Sequence, residues 1–308
     1  MDFKIRGIAM KVTILTPTYN RAYTLERLFQ SLKTQTLFDF EWLVIDDGST
    51  DLTQKLFEKW NKERLPFDII YYKKDNGGKC RAINFGLQYA RGELFLVVDS
   101  DDYLSNDAIE KIVEWSRTIK EKEAYCGFSG NSSYGGKEEE NPIFDKQYVD
   151  CTFLDRYPRK ENDYFFIGHD RAWIFFTEVH KKYLYPVFPN EKFMTEAVVW
   201  NRMAKDGLKL RCFNDIIYFY DHQEDGLTNS IKMNFLSNPR GYGLWLSEKS
   251  KILKESYRQR LRIYYSFTND LIDLDCKDIA EFINTSYLII FMCRIVHNVV
   301  NLVKRVLG

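Results

Sequence analysis

The sequence predicts an α/β fold: a mostly parallel, Rossmann-like sheet flanked by helices, followed by a C-terminal helical region. Three observations lead there. Over roughly the first hundred residues, short apolar runs alternate with segments of helical periodicity. The runs end in polar clusters, at Thr16, Asp47 and Asp99. From Asn234 onward every apolar pattern has helical spacing.

Val12 to Leu15 is the first strand pattern and stops at Thr16-Pro17. Tyr23 to Leu32 carries Leu25, Leu28, Phe29 and Leu32 on one helical face. Phe40 to Ile45 is the second strand and runs into Asp46-Asp47-Gly48-Ser49. Ser49 or Thr50 is expected to cap a helix over about 52–63. Ile69 to Tyr72 is a third strand, Lys79 to Ala90 a third helix, and Leu94 to Val98 a fourth strand. Repeated strand–helix–strand units imply parallel pairing, and ligands of such sheets bind at the carboxyl ends of the strands. Beyond Ser105 a helix to about Lys122 precedes a strand near Ala124 to Ser129. Asn131 to Asn141 is expected to be a mobile loop, and 130–147 a candidate lid. Arg171 to Thr177 and Lys209 to Asp221 read as strands, with a helix near Phe193 to Lys205 between them.

Composition narrows the function. The 308 residues are 45% hydrophobic, enough for a sizeable core. Lys+Arg and Asp+Glu both number 44, so the cationic surplus that nucleic-acid binding needs is missing. Aromatic residues make up 16% and suit either a core or the flat faces of sugars. The six cysteines are scattered without a C-x-x-C pair, which argues for reduced thiols in a cytosolic setting. No signal-peptide pattern and no uninterrupted span-length apolar run is read, with the C-terminal tail the closest approach.

Three motifs can carry chemistry, and each has a plainer reading. Asp99-Ser100-Asp101-Asp102 follows an apolar strand, where carboxylates can hold a divalent cation together with phosphate oxygens. Acidic turns also cap helices. Asp46-Asp47-Gly48-Ser49-Thr50-Asp51 offers an acceptor for the N3–H of a uracil ring, or another capped turn. Asn76-Gly77-Gly78-Lys79 permits close backbone approach and a lysine contact to phosphate, or an ordinary strand-to-helix turn.

Their order adds information. TPTYNR at 16–21, QTLFDFEWLVIDDGSTD at 35–51, NGGKCRAINFGLQYARGE at 76–93 and VVDSDD at 97–102 together resemble the inverting family 2 glycosyltransferases, whose nucleotide-binding half is of the GT-A type. The resemblance is tight to about residue 105 and looser to about 230. It implies a nucleotide-sugar-binding half over 1–105, an acceptor-binding half over 106–233 and a helical region over 234–308. It also implies that Thr16, Pro17, Tyr19, Asp47, Lys79, Asp99, Ser100 and Asp102 contact the nucleotide-sugar donor. Asp47 faces the uracil, Asp99 the ribose or sugar, and Asp102 the donor sugar. Asp101 matches the metal ligand, for Mn2+ or Mg2+. EKFMTEAVVWNRMA at 191–204 resembles the family's acidic segment and places Glu196 as catalytic base, against a plain helix-start acid. The usual Glu-Asp pair stands here as Thr195-Glu196. Asp221 to Thr228 resembles an ending seen in capsule and cell-wall members, with His222 as a further metal or diphosphate contact or an ordinary loop histidine. His169 and Asp170 match segments on the acceptor side.

The function so implied is metal-dependent transfer of a hexosyl or N-acetylhexosaminyl group from a nucleotide-diphosphate donor, a UDP-sugar, to an acceptor hydroxyl with inversion. The setting is bacterial surface polysaccharide or glycan assembly on a glycan or lipid-linked acceptor. The alternative is a nucleotide-sugar-binding module without catalysis. A Rossmann-type dehydrogenase is disfavoured, because PTYNR stands where a G-x-G-x-x-G would follow the first strand. The expected location is cytoplasmic, at the inner face of the membrane. There residues 283–308 form an interfacial helix with Arg294, His297, Asn298, Asn301, Lys304 and Arg305 on a stripe opposite apolar residues. Packing on the enzyme body or in a homodimer is the plain counterpart.

Overall fold

The structure is a computed structural model describing residues 11–135, 144–157, 167–168, 171–221, 223, 226 and 230–307. The first half alternates β1 (Val12–Thr18), α1 (Leu25–Lys33), β2 (Phe40–Asp46), α2 (Thr53–Trp60), β3 (Asp68–Lys73), α3 (Lys79–Leu87) and β4 (Leu94–Val97). The second half adds β5 (Tyr103–Leu104), α4 (Ala108–Ser116), β6 (Tyr125–Tyr134), β7 (Tyr148–Cys151), β8 (Arg171–Phe176), α5 (Thr177–His180), α6 (Ala197–Lys205) and β9 (Lys209–Tyr220). Among the described residues these strands form one sheet, ordered β3-β2-β1-β4-β8-β6-β9-β5, with β7 paired to β9. The run β3-β2-β1-β4 is parallel, as expected. Beyond it β8 lies antiparallel to both β4 and β6, so the sheet is mixed.

The aromatic residues of the first half mainly fill the core. Phe29 of α1 stacks on Trp60 of α2 at 4.3 Å between centroids, and Trp42 of β2 meets Phe57 at 5.3 Å. All four are buried. Their ring area anchors α1 and α2 to the sheet. On the sheet's other face α3 approaches closely at Gly86. A Cβ there would stand 2.2 Å from Leu15 Cδ1 and 3.1 Å from Ile45 Cγ1. The missing side chain therefore sets the depth of α3, and with it the position of Lys79 at the helix start.

Two sequence expectations are corrected. Neither Ser49 nor Thr50 caps α2; the carboxylate of Asp51 accepts the Thr53 N–H at 3.0 Å instead, while Ser49 is engaged elsewhere. Residues 131–134 are not loop but the end of β6, where Ser132 and Ser133 are buried and paired with Tyr218 and Phe219. Their polarity hid a strand whose hydrogen bonds run along the backbone. Residues 136–143 of the candidate lid, with His169, Asp170 and His222, lie outside the described residues.

The chain divides into two compact units, Met1–Leu184 with Arg202–Glu224, and Tyr185–Asn201 with Asp225–Gly308. The second holds α7 (Ile231–Leu236), α8 (Pro239–Ile252), α9 (Tyr257–Asp270), α10 (Cys276–Phe282) and α11 (Tyr287–Leu307). Its core gathers Phe267, Leu271, Ile279, Ile283 and Ile290. The segment before α6 is tied to α8: Glu191 accepts the N–H groups of Arg240 (2.7 Å) and Gly241 (2.9 Å), where the helix dipole favours a carboxylate.

Gly86→Ala weighs two effects. Helix propensity favours alanine by about 1 kcal/mol, whereas overpacking of a tight contact costs about 1–3 kcal/mol. Leu15 and Ile45 are wholly buried and have little room to yield. Urea unfolding is expected to show a net loss of up to about 2 kcal/mol; a gain would mean that α3 is not in tight contact.

Candidate active site

The parallel register brings the ends of β1, β2 and β4 to one edge, with Thr18 beside Asp46 and Leu15 beside Val97. The loops after β1 and β2 are then laced together. Asp47 N–H donates to Thr18 O at 2.8 Å, and Asn20 N–H to Ser49 Oγ at 2.8 Å. Asn20 Oδ1 accepts the Thr50 N–H at 2.8 Å, and Asp51 Oδ2 the Ala22 N–H at 3.0 Å. Asn20 holds φ 53°, a left-handed conformation that asparagine tolerates.

The adjacent acids of the second loop differ in task. Asp46 is buried and holds its own turn, accepting from Ser49 N–H at 2.6 Å and from the Tyr71 hydroxyl. Asp47 reaches across to the glycine loop. It accepts from Lys74 Nζ at 2.5 Å, from Gly77 N–H at 3.0 Å and from Gly78 N–H at 2.6 Å. Gly78 sits at φ 93°, which turns its N–H inward where a side chain would be strained. A carboxylate has about four acceptor positions, so these three donors already occupy much of Asp47. A uracil N3–H at Asp47 would compete with them.

The third cluster is electrostatically the least settled. Lys79, at the start of α3, pairs with Asp99 at 2.8 Å. β5 pairs with the end of β9, Tyr103 opposite Phe219, and this brings Tyr218 under the loop. The Tyr218 hydroxyl donates to Asp102 at 2.6 Å and accepts from Asp99 N–H at 3.1 Å. Burial, and then the charge of Asp99, push the Asp102 carboxyl up to about 8. The same two causes raise Asp101, against a weaker opposing pull from Arg21 and Lys79. Asp101 is half-buried and has no ion pair and no side-chain hydrogen-bond partner among the described residues. Its backbone carbonyl is held by Arg27, whose guanidinium also pairs with Asp221 and lies 4.5 Å over the Tyr103 ring.

The expected contacts therefore fall as follows. Asp47, Lys79, Asp99, Asp101 and Asp102 are tied into three neighbouring loops, with Ser100 buried among them. Thr16 is wholly buried, and its hydroxyl accepts the indole N–H of Trp42 at 3.0 Å, so its side chain serves the core. Pro17 is buried within β1, whereas Tyr19 is 48% exposed just beyond it. Glu196 belongs to the second compact unit. It is half-buried directly before α6, and its carbonyl accepts the Val199 N–H at 3.1 Å. Its place directly before α6 is that of a helix-start acid. Arg21, Arg27, Lys74 and Tyr218 were not singled out by the sequence. Arg21 lay within TPTYNR, but the others come together only through the fold.

Among the described residues no set of three His, Cys, Asp or Glu side chains is arranged to hold a metal ion. A cation at Asp101 would need oxygen ligands from a bound molecule or from water, the usual habit of Mg2+. A hard carboxylate oxygen outside any ion pair among the described residues suits such a cation.

The Asp102 shift has a signed consequence. A carboxyl raised from its ordinary range near 4 to about 8 keeps in the folded state a proton that the unfolded chain releases. Its contribution to stability is greatest at low pH and is lost as pH rises from about 4 to about 8. In chelator, Asp102→Asn is expected to flatten that decline in urea unfolding between pH 5 and pH 8.5. Equal slopes would show that Asp102 titrates normally.

The sequence profile of Glycosyl transferase family 2 matches residues 13–184, more than half of the chain. Glycosyltransferase GlyA of Streptococcus pneumoniae is 34% identical over 113 residues, 35% of this chain and 16% of that protein. The chain thus aligns with only a small part of that relative. Staphylococcus aureus TarS 1–349, solved in complex with UDP-GlcNAc, superposes with a TM-score of 0.58 at 19% identity, over 85% of this chain and 82% of that one. Mannosyltransferase PcManGT from Pyrobaculum calidifontis, in complex with GDP-Man and Mn2+, gives a TM-score of 0.54 at 15% identity, covering 85% and 72%. At these identities the likeness speaks for the fold, which is of the expected GT-A type. The profile match and the four strand-end motifs together show that this chain belongs to glycosyl transferase family 2.

Proposed function

We propose that the protein transfers a sugar from a UDP-sugar to a hydroxyl of a glycan or lipid-linked acceptor, with inversion, in bacterial surface-polysaccharide assembly. The observation that carries this reading is the half-buried Asp101 carboxylate without an ion pair, at an edge where three loops converge. It is the group most in need of a cation. Asp101 would hold Mn2+ or Mg2+ together with diphosphate oxygens, and such a cation, when bound, offsets charge on the leaving group. Arg21 and Lys79, whose charges already act on Asp101, add fixed positive charge beside that diphosphate. Tyr19 offers an exposed ring face for the base.

Glu196 acts as general base. It takes the proton of the acceptor hydroxyl as that oxygen bonds to the anomeric carbon and the bond from that carbon to the diphosphate breaks. One displacement inverts the carbon and leaves the enzyme uncharged by any covalent sugar.

A panel of nucleotide-sugar donors, read as released nucleoside diphosphate with and without Mn2+, tests the reading. A UDP-sugar is expected to turn over only with the cation. Glu196→Gln is expected to bind that donor normally and to transfer about 10²-fold or more slowly. Collapse of donor affinity with unchanged turnover of bound donor would make Glu196 a binding residue. Binding without release by the unaltered chain would favour the noncatalytic module.

A further inference from the structure

The last helix, α11, turns its two faces in an unusual sense. At 100° per residue, Ile290, Cys293, Arg294, His297 and Asn301 share one side. Ile290 and Cys293 are buried, and the other three are half-buried. The Arg294 guanidinium donates to the carbonyl of Leu274, and His297 and Asn301 bond to each other at 2.7 Å. This side faces α9 and α10, which α11 packs against. The sequence-based expectation assigned Arg294, His297 and Asn301 to lipid headgroups; the structure turns them toward the protein, because Ile290 locks that side into the core.

The opposite side is bare and apolar. Leu288, Met292, Ile295, Val299 and Leu302 lie along it, all exposed, with Leu288 at 69% and Leu302 at 63%. Ten of the nineteen exposed large apolar side chains among the described residues belong to α11. Monomeric soluble surfaces rarely gather apolar side chains so continuously.

We infer that α11 lies in the plane of an anionic bilayer, with this face among the acyl chains. Two features select lipid over a second copy. First, the stripe from Leu288 to Val303 is aliphatic and sulfur-bearing with one aromatic, Phe291, at its margin. It lacks the hydrogen-bonding groups that protein interfaces carry about once per 100–200 Å². Second, charge is complementary. No acid follows Glu281, Lys304 and Arg305 stand exposed at the helix end, and residues 231–308 hold twelve Lys and Arg against seven Asp and Glu in a chain of net charge zero. Cationic side chains beside an apolar helix face favour anionic headgroups. Residues 287–305 are also long and apolar enough to cross a membrane, with mean hydropathy 1.4. Crossing would strip Arg294 from Leu274 and carry His297, Asn298 and Asn301 into hydrocarbon, so the in-plane position is preferred. The inference does not depend on sugar transfer, and its failure would leave the proposed activity untouched.

Flotation of the full chain with phosphatidylglycerol-containing vesicles tests it, alongside neutral phosphatidylcholine vesicles and sedimentation of the free protein. The unaltered chain is expected to float with the anionic vesicles and to leave them in alkaline carbonate. Ile295→Glu/Val299→Glu is expected to lower the bound fraction at least tenfold while the thermal transition stays unchanged. Lys304→Glu/Arg305→Glu, which leaves the apolar face intact, is expected to weaken binding to anionic vesicles selectively. Absence of flotation by the unaltered chain overturns the inference. So does resistance to carbonate, which indicates a span. A dimer without vesicle binding, dissolved by Ile295→Glu/Val299→Glu, assigns the face to a second copy.

Discussion

Repulsion among carboxylates at one sheet edge is the constraint on which the site depends. Five acids stand at two strand ends, Asp46 and Asp47 at the end of β2 and Asp99, Asp101 and Asp102 after β4, beside the glycine loop after β3. Each needs a compensating group, and the fold supplies a different one to nearly all of them. Asp46 has a tyrosine hydroxyl and a turn N–H, Asp47 has Lys74 and the glycine loop, Asp99 has Lys79, and Asp102 has Tyr218. Asp101 has its own backbone N–H and the charges of Arg21 and Lys79, and no ion pair among the described residues. The same edge therefore concentrates negative charge, which is why the proposed cation is placed there.

That arrangement explains why distant elements converge there. Gly86 lets α3 sink onto β1 and β2, which sets Lys79 against Asp99. The short β5–β9 pairing exists beside the acidic loop and delivers Tyr218 to it. Arg27 of α1 fixes the Asp101 backbone and the end of β9 with one guanidinium. Packing that looks remote from the chemistry thus sets the position of single carboxylates.

Much of this was legible in the sequence because it rests on local patterns. Apolar runs marked β1 to β4, and the acids after them marked the edge. What the sequence could not show was pairing across long separations. Tyr218 lies 116 residues from Asp102, and nothing in its strand pattern distinguishes it from a packing residue. The polar end of β6 read as loop because hydrophobic periodicity does not register backbone pairing. Thr16 matched a nucleoside contact by motif, yet its hydroxyl is engaged by Trp42. For α11 the amphipathic pattern was visible, but which side met the protein depended on Ile290 entering the core.

The central claim is that this edge binds a divalent cation and a nucleoside diphosphate together, through Asp101. Electron paramagnetic resonance of Mn2+ tests it directly. Relative to a protein-free mixture of Mn2+ and UDP, stoichiometric protein is expected to lower the free-ion signal further, by up to one ion per chain, only when UDP is present, and Asp101→Asn is expected to match the protein-free mixture. Equal loss of signal without UDP, or in Asp101→Asn, would contradict the account.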